Sequence, residues 1–91
     1  MEIKDIYIFG KYYKNMALCG RKEKIYECDQ FAIELTNGIS ITAIAHIDKN
    51  GYYFNIIRII NNGKIYRNSR YFIKYITLVR DSIYEYYQKN K

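Results

Sequence analysis

Residues 30–67 read QFAIELTNGISITAIAHIDKNGYYFNIIRIINNGKIYR, and this stretch decides the fold. Three Asn-Gly pairs punctuate it: Asn37-Gly38, Asn50-Gly51 and Asn62-Gly63. Runs rich in β-branched and aromatic residues lie between them. A type I′ turn requires positive φ at both central positions, and Asn followed by Gly accepts this at the least steric cost. The stretch is therefore expected to be an antiparallel meander, with strands over 25–36, 39–47, 52–60 and 64–67.

Two-residue loops would also set the register, because turn length fixes which residues face one another. Thr36 would oppose Ile39, Lys49 would oppose Tyr52, and Asn61 would oppose Lys64. One face then holds Ile39, Ile41, Ala43, Ala45, Ile47, Phe54, Ile56, Ile60 and Ile65. The other holds Phe31, Ile33, Leu35, Ile44, Ile57, Ile59 and Tyr66. An antiparallel sheet with one wet face carries a polar set there. Neither face qualifies, so both call for cover.

Outward from the meander, the period changes from two to 3.6 at Ser69. Phe72, Ile76, Val79, Ile83 and Tyr86 or Tyr87 fall on one stripe of a helix running to about Gln88. Asn68 or Ser69 suits its N-cap, and Glu85 precedes Lys89 by the spacing of a favourable ion pair. Ala43 and Ala45 leave room for this helix on the first face. Tyr71, Tyr75 and Leu78 form a shoulder beside its core stripe. The second face falls to the N-terminal segment (Ile3, Ile6, Ile8, Phe9) or to another copy in a homodimer. Residues 3–9 read as a strand ending at Gly10. Residues 10–24 read as a basic loop carrying a short element at Met16-Ala17-Leu18-Cys19. The fold class is α+β: an antiparallel β-meander of about 4–6 strands with one C-terminal α-helix packed on one face, all 91 residues forming a single domain.

Composition bears on origin and partners. Seventeen Ile and 12 Tyr, with no Pro, favour strands. Ile, Lys, Asn and Tyr supply 47 of the 91 residues. Their codons are A/T-rich, which points to an AT-rich genome such as that of a low-GC bacterium or its phages. The early Glu2 and Asp5 leave no secretory signal pattern, and no apolar run is long enough to span a membrane. The expected setting is cytoplasmic, with Cys19 and Cys28 reduced.

Catalytic chemistry finds little footing. His46 is the only histidine and has no orienting partner in sequence. Two cysteines without a His cluster make no zinc site, and no Gly-rich phosphate loop joins a strand to a helix. The reading is a non-enzyme without cofactor or metal.

The net charge of +6 favours acidic partners, unless it serves solubility alone. Two stretches carry it, interleaved with tyrosine. The first, 11–24, includes Lys11, Tyr12, Tyr13, Lys14, Arg21, Lys22 and Lys24. The second, 64–80, includes Lys64, Arg67, Arg70, Tyr71, Lys74 and Tyr75. Lys and Arg neutralise phosphates, and exposed Tyr can stack bases. Tyr and Arg are also the types enriched at protein-binding hot spots. The expected function is a small non-catalytic inhibitor of phage or mobile-element type, which occludes a host protein or protein–nucleic-acid complex. Anti-CRISPR proteins are similar in general style, with no shared motif. The alternative is a nucleic-acid- or nucleotide-binding module acting through the two basic stretches.

Overall fold

A computed structural model describes residues 2–18 and 20–90. Five strands lie in sequence order in one antiparallel sheet: β1 (Ile3–Met16), β2 (Lys24–Leu35), β3 (Ser40–Asp48), β4 (Gly51–Asn61) and β5 (Lys64–Tyr66). One C-terminal helix follows, built from α1 (Ser69–Phe72), a single 3₁₀ turn (Ile73–Tyr75) and α2 (Ile76–Lys89). The α+β meander with its C-terminal helix is the architecture that the turn signals predict.

The three Asn-Gly pairs do three different things. Asn62-Gly63 closes a two-residue loop, with Asn61 opposite Lys64 and positive φ at both Asn62 (51°) and Gly63 (76°). Asn37-Gly38 belongs to a three-residue loop instead. Leu35 faces Ile39 through a 2.9 Å backbone hydrogen bond, and Gly38 alone takes positive φ. Around Asn50-Gly51 the loop is Lys49-Asn50, so Tyr52 faces Ile47 rather than Lys49. Asp48 caps that loop by accepting from the Asn50 amide.

These differences relocate the core. The extra loop residue shifts β2 by one against β3, and a one-residue slip moves every side chain to the opposite face. Phe31 and Ile33 therefore lie opposite Ala43 and Ile41, on the helix side. A bulge at Ile57 has a second effect, because Ile41 faces Ile59 while Ala43 faces Ile56. Ile56 and Ile59 thus share the helix face, and Ile60 and Ile65 leave it. The expectation of two apolar faces is corrected: one face gathers Phe31, Ile33, Leu35, Ile41, Ala43, Ala45, Ile56 and Ile59 against Val79 and Ile83. The other carries Ala32, Ser40, Thr42 and Arg58, plus a smaller cluster of Tyr26, Cys28 and Ile44 under Met16, Leu18, Tyr53 and Ile57.

The N-terminal reading is corrected too. β1 does not stop at Gly10, and residues 10–16 are not loop. The strand passes through a bulge between Ile8 and Gly10 and pairs with β2 as far as Met16 opposite Lys24. Glycine inside a strand marks such a bulge or a close approach, and a Cβ on Gly10 would sit 2.7 Å from Gln30 Oε1. Ile3, Ile6 and Ile8 face the helix beside Leu35, Ile33 and Phe31, so β1 extends the sheet instead of covering its second face. The element expected at 16–19 reduces to the end of β1; Cys19 lies outside the described residues.

Asn68 caps the helix, its side chain accepting from the Arg70 amide at 2.8 Å. The 3₁₀ turn tightens the winding, and i and i+3 eclipse in such a turn. The buried stripe consequently runs Tyr75, Val79, Ile83, with Tyr86 and Tyr87 closing edge-on against Phe31. Tyr75, placed on the shoulder by simple 3.6 periodicity, is only 3% exposed, and Ile76 turns outward. The expected Glu85–Lys89 ion pair is present at 2.7 Å. Among the described residues, no helix is long and apolar enough to cross a membrane.

Candidate binding edge

The two basic stretches meet different fates once strands pair. In 11–24 four of the five cations are met by partners. Lys11 opposes Asp29 and bonds to its carboxylate, with Glu27 at 3.6 Å. That hydrogen bond and charge raise the Lys11 ammonium above the usual lysine value. Lys14 donates to the Tyr53 hydroxyl at 3.0 Å, which likewise raises it. Arg21 donates to the Asn50 amide oxygen at 2.7 Å. Lys24 lies 4.8 Å over the Tyr26 ring, and Lys22 is exposed. Tyr12 and Tyr13, adjacent on a strand, point to opposite faces and are both exposed. The sheet therefore disperses this stretch.

The second stretch stays together. Tyr66 on β5 stacks on Tyr71 of α1, with centroids 4.2 Å apart and planes 8° from parallel. Lys64 lies 5.4 Å over Tyr66, and Lys74 lies 5.2 Å over Tyr71. Asn61 donates to the Tyr71 hydroxyl at 3.1 Å. Each cation–ring contact contributes about 0.5–1 kcal/mol when exposed. The pair joins the last strand to the first helical turn. Both stacked rings also have a lysine near them, so neither is an open platform for a base. Tyr75 is buried, and burial raises its phenol above the usual range. The tyrosines of 64–75 are thus structural, while the cations around them are outward. Lys64, Arg67, Arg70 and Lys74 are exposed, and no carboxylate pairs with them among the described residues.

A wider pattern underlies this, and the sequence alone carries it. Residues 49–80 contain seven of the fifteen cations and none of the nine carboxylates. The whole positive excess thus belongs to β4, β5 and the start of the helix. Sheet order places these elements along one edge. The same edge carries apolar surface. Ile73 is 65% exposed and Ile76 41%, and with Phe72 they border a shallow groove whose other wall is Phe54 and Ile56 of β4.

Of the residues weighed for chemistry, His46 has in the fold the orienting partners that the sequence did not show. His46 Nδ1 lies 2.9 Å from the Glu27 carbonyl and Nε2 lies 3.0 Å from Asp48 Oδ2, so both ring nitrogens have partners. The contact with His46 holds the Asp48 carboxyl below its usual value. Cys28 is fully buried, and burial pushes its thiol up. Among the described residues, no group of three His, Cys, Asp or Glu side chains is placed to hold a metal ion. Comparison with protein families, curated proteins and solved structures finds no match to this chain.

Proposed function

We propose that this chain is a small non-catalytic binding protein that docks an acidic protein partner along the β4–β5–α1 edge and acts by occluding it. The observation that carries this is the coincidence, on one edge, of cations without a carboxylate partner and exposed isoleucines. Arg70, Ile73, Lys74 and Ile76 alternate charge and apolar surface within two helical turns. Desolvated apolar anchors ringed by arginine are the composition of a protein-binding hot spot. A phosphate-binding surface gains nothing from the isoleucines. An inhibitor of phage or mobile-element type fits the size, the AT-rich coding and the charged edge. The residues expected to carry binding are Lys64, Arg67, Arg70 and Lys74, with Ile73 and Ile76; those of 11–24 are secondary.

The four cations without a carboxylate partner also support a second reading, direct binding of nucleic acid through backbone phosphates without base stacking. One comparison separates them. Generic single- and double-stranded nucleic acid is titrated across a salt series, beside affinity capture from a low-GC bacterial lysate. Each is run with the native protein and with a Lys64→Glu/Arg67→Glu/Arg70→Glu/Lys74→Glu variant. The expected result is a stoichiometric protein complex that the variant loses, with no nucleic-acid binding at physiological salt. Micromolar nucleic-acid binding with a steep log–log salt slope would overturn the protein-partner reading.

A further inference from the structure

β4 is eleven residues long, but β5 covers only Ile59, Ile60 and Asn61. From Gly51 to Ile56 the strand has β3 on one side and, among the described residues, no strand on the other. Its pairing with β3 is regular over that span, from Asp48 opposite Gly51 to Ala43 opposite Ile56. A two-residue loop is closed by a hydrogen-bonded pair, and such pairs alternate with non-bonded ones along an antiparallel ladder. Counting from Gly51, the backbone N–H and C=O of Tyr52, Phe54 and Ile56 point away from β3. Their side chains face the helix, where Phe54 and Ile56 line the groove with Phe72, Ile73 and Ile76.

Natural sheets blunt such edges with bulges, lysine or proline. The opposite edge obeys: β1 has register shifts at Ile3/Asp5 and Ile8/Gly10 and carries Lys4, Lys11 and Lys14. Residues 51–56 carry neither bulge nor charge nor proline. The charges stand beside this edge instead: Lys49, Arg58, Arg70 and Lys74, against Asp48 opposite Gly51 and an Asp81 close to Tyr52 that is paired with Arg80, so the surroundings are positive on balance.

We propose that residues 51–56 of β4 are a strand-addition site, at which an extended acidic segment of the partner protein pairs antiparallel or parallel to Tyr52–Ile56. Alternate apolar side chains of that segment enter the Phe54–Ile73 groove, and its Asp or Glu side chains meet the flanking cations. Main-chain hydrogen bonds give affinity in this mode, and side-chain pockets give specificity. Charge decides the occupant. A second copy would bring the same net-positive edge against itself, setting an excess of like charge together, whereas an acidic segment neutralises that excess. The inference rests on the protein-partner reading and adds how the partner is held.

The probes are three octapeptides: alternating Val and Glu, alternating Val and Lys, and the Val/Glu peptide N-methylated at alternate residues so that one edge cannot hydrogen-bond. Binding is read by fluorescence anisotropy, and amide hydrogen exchange is followed residue by residue. The Val/Glu peptide is expected to bind and to slow exchange at Tyr52, Phe54 and Ile56. The Val/Lys and N-methylated peptides should each bind at least about tenfold more weakly. An Ile73→Glu variant, altered only at an exposed position, should lose the Val/Glu peptide by a similar factor. If the N-methylated peptide binds as well as its parent, with no slowing at the three amides, strand addition is wrong while the acidic-partner reading stands. If no peptide binds and the partner complex survives both Ile73→Glu and the fourfold charge reversal, both fail. If light scattering finds a dimer whose three amides are already protected without peptide, the edge belongs to a second copy and the proposal falls.

Discussion

At the scale of single residues, two positions show how differently glycine can be used. Gly63 sits at φ 76° in the Asn62-Gly63 loop, with nothing near where a Cβ would stand. Only backbone strain opposes substitution there, and a β-branched side chain resists that region most. Gly63→Val is expected to cost about 1–2 kcal/mol in urea unfolding. Gly10 is the reverse case. Its obstacle is the end of the Gln30 side chain, which can swing aside. Gly10→Ala should therefore change stability by less than about 0.5 kcal/mol. Equal losses at the two positions would contradict this division.

Tyr87 ties the end of the helix to the sheet. Its hydroxyl donates to Asp29 Oδ2 at 2.7 Å and reaches the Ala45 carbonyl at 3.3 Å. Burial, then the Asp29 carboxylate, raises the phenol well above its ordinary value of 10.0. A group whose folded pKa is raised contributes stability below its unfolded pKa and loses it as pH rises through the folded value. Lys11, raised by the same carboxylate, acts in the same direction. Stability should hold to about pH 10 and fall above it. Tyr87→Phe should cost about 1.5–3 kcal/mol at pH 7, because it removes a hydrogen bond to a charged acceptor. It should also flatten the alkaline decline, and an unchanged decline would assign it to other groups.

At the scale of elements, the helix stripe makes a sharp prediction. Ile83 is fully buried among the sheet residues, whereas Ile76, one of the residues that periodicity places in the stripe, is exposed. Ile83→Ala should cost about 2–5 kcal/mol, and Ile76→Ala less than about 0.5 kcal/mol. Thermal or urea unfolding of the pair distinguishes this stripe from the uninterrupted one. The contrast also marks what the sequence could convey. Element type and order were legible, because period-two and period-3.6 patterns and turn residues are local signals. Register was not: loops of two and three residues both use Asn-Gly, and the Ile57 bulge has no local mark inside Ile56-Ile57-Arg58-Ile59-Ile60. Each single-residue offset exchanged the two faces. β1 was hidden for a related reason, since its charges at Lys11 and Lys14 resemble a loop until Asp29 and Tyr53 are brought across from them. Of the candidate site, the cations of 64–74 were legible as a run without acids. The groove beside them was not, because the 3₁₀ turn exposes Ile76 while burying Tyr75.

At the scale of the whole molecule, charge is divided unevenly along the chain and therefore across the sheet. Residues 49–80 hold seven cations and no carboxylate, while every carboxylate lies in the β1–β3 segment or beyond residue 80. Pairs such as Lys11–Asp29 and Glu85–Lys89 lie on the mixed-sign parts. Like charges crowded on the β4–β5–α1 edge repel, and the compact state feels this more than the unfolded chain. Screening weakens repulsion between exposed charges once the Debye length falls below their separation, from about 30 Å at 0.01 M salt to about 8 Å at 0.15 M. The melting temperature should therefore rise with added NaCl over that range. Surface ion pairs, whose median contribution is about 0–1 kcal/mol, would give the opposite trend if they dominated. Replacing exposed Arg70 or Lys74 with Glu should raise stability at low salt by a few tenths of a kcal/mol, about the size of a helix-surface charge effect. The substitution also places a negative charge in the helix's first turns, where the macrodipole favours it. The gain should shrink at 0.15 M salt. A melting temperature that falls with salt, or a charge-reversed variant that is less stable at low salt, would mean that these cations are held by local contacts such as the Lys74–Tyr71 ring pair. Native stability sacrificed to a cation-rich edge, and recovered by a single glutamate, is the signature expected of a surface kept positive for a partner.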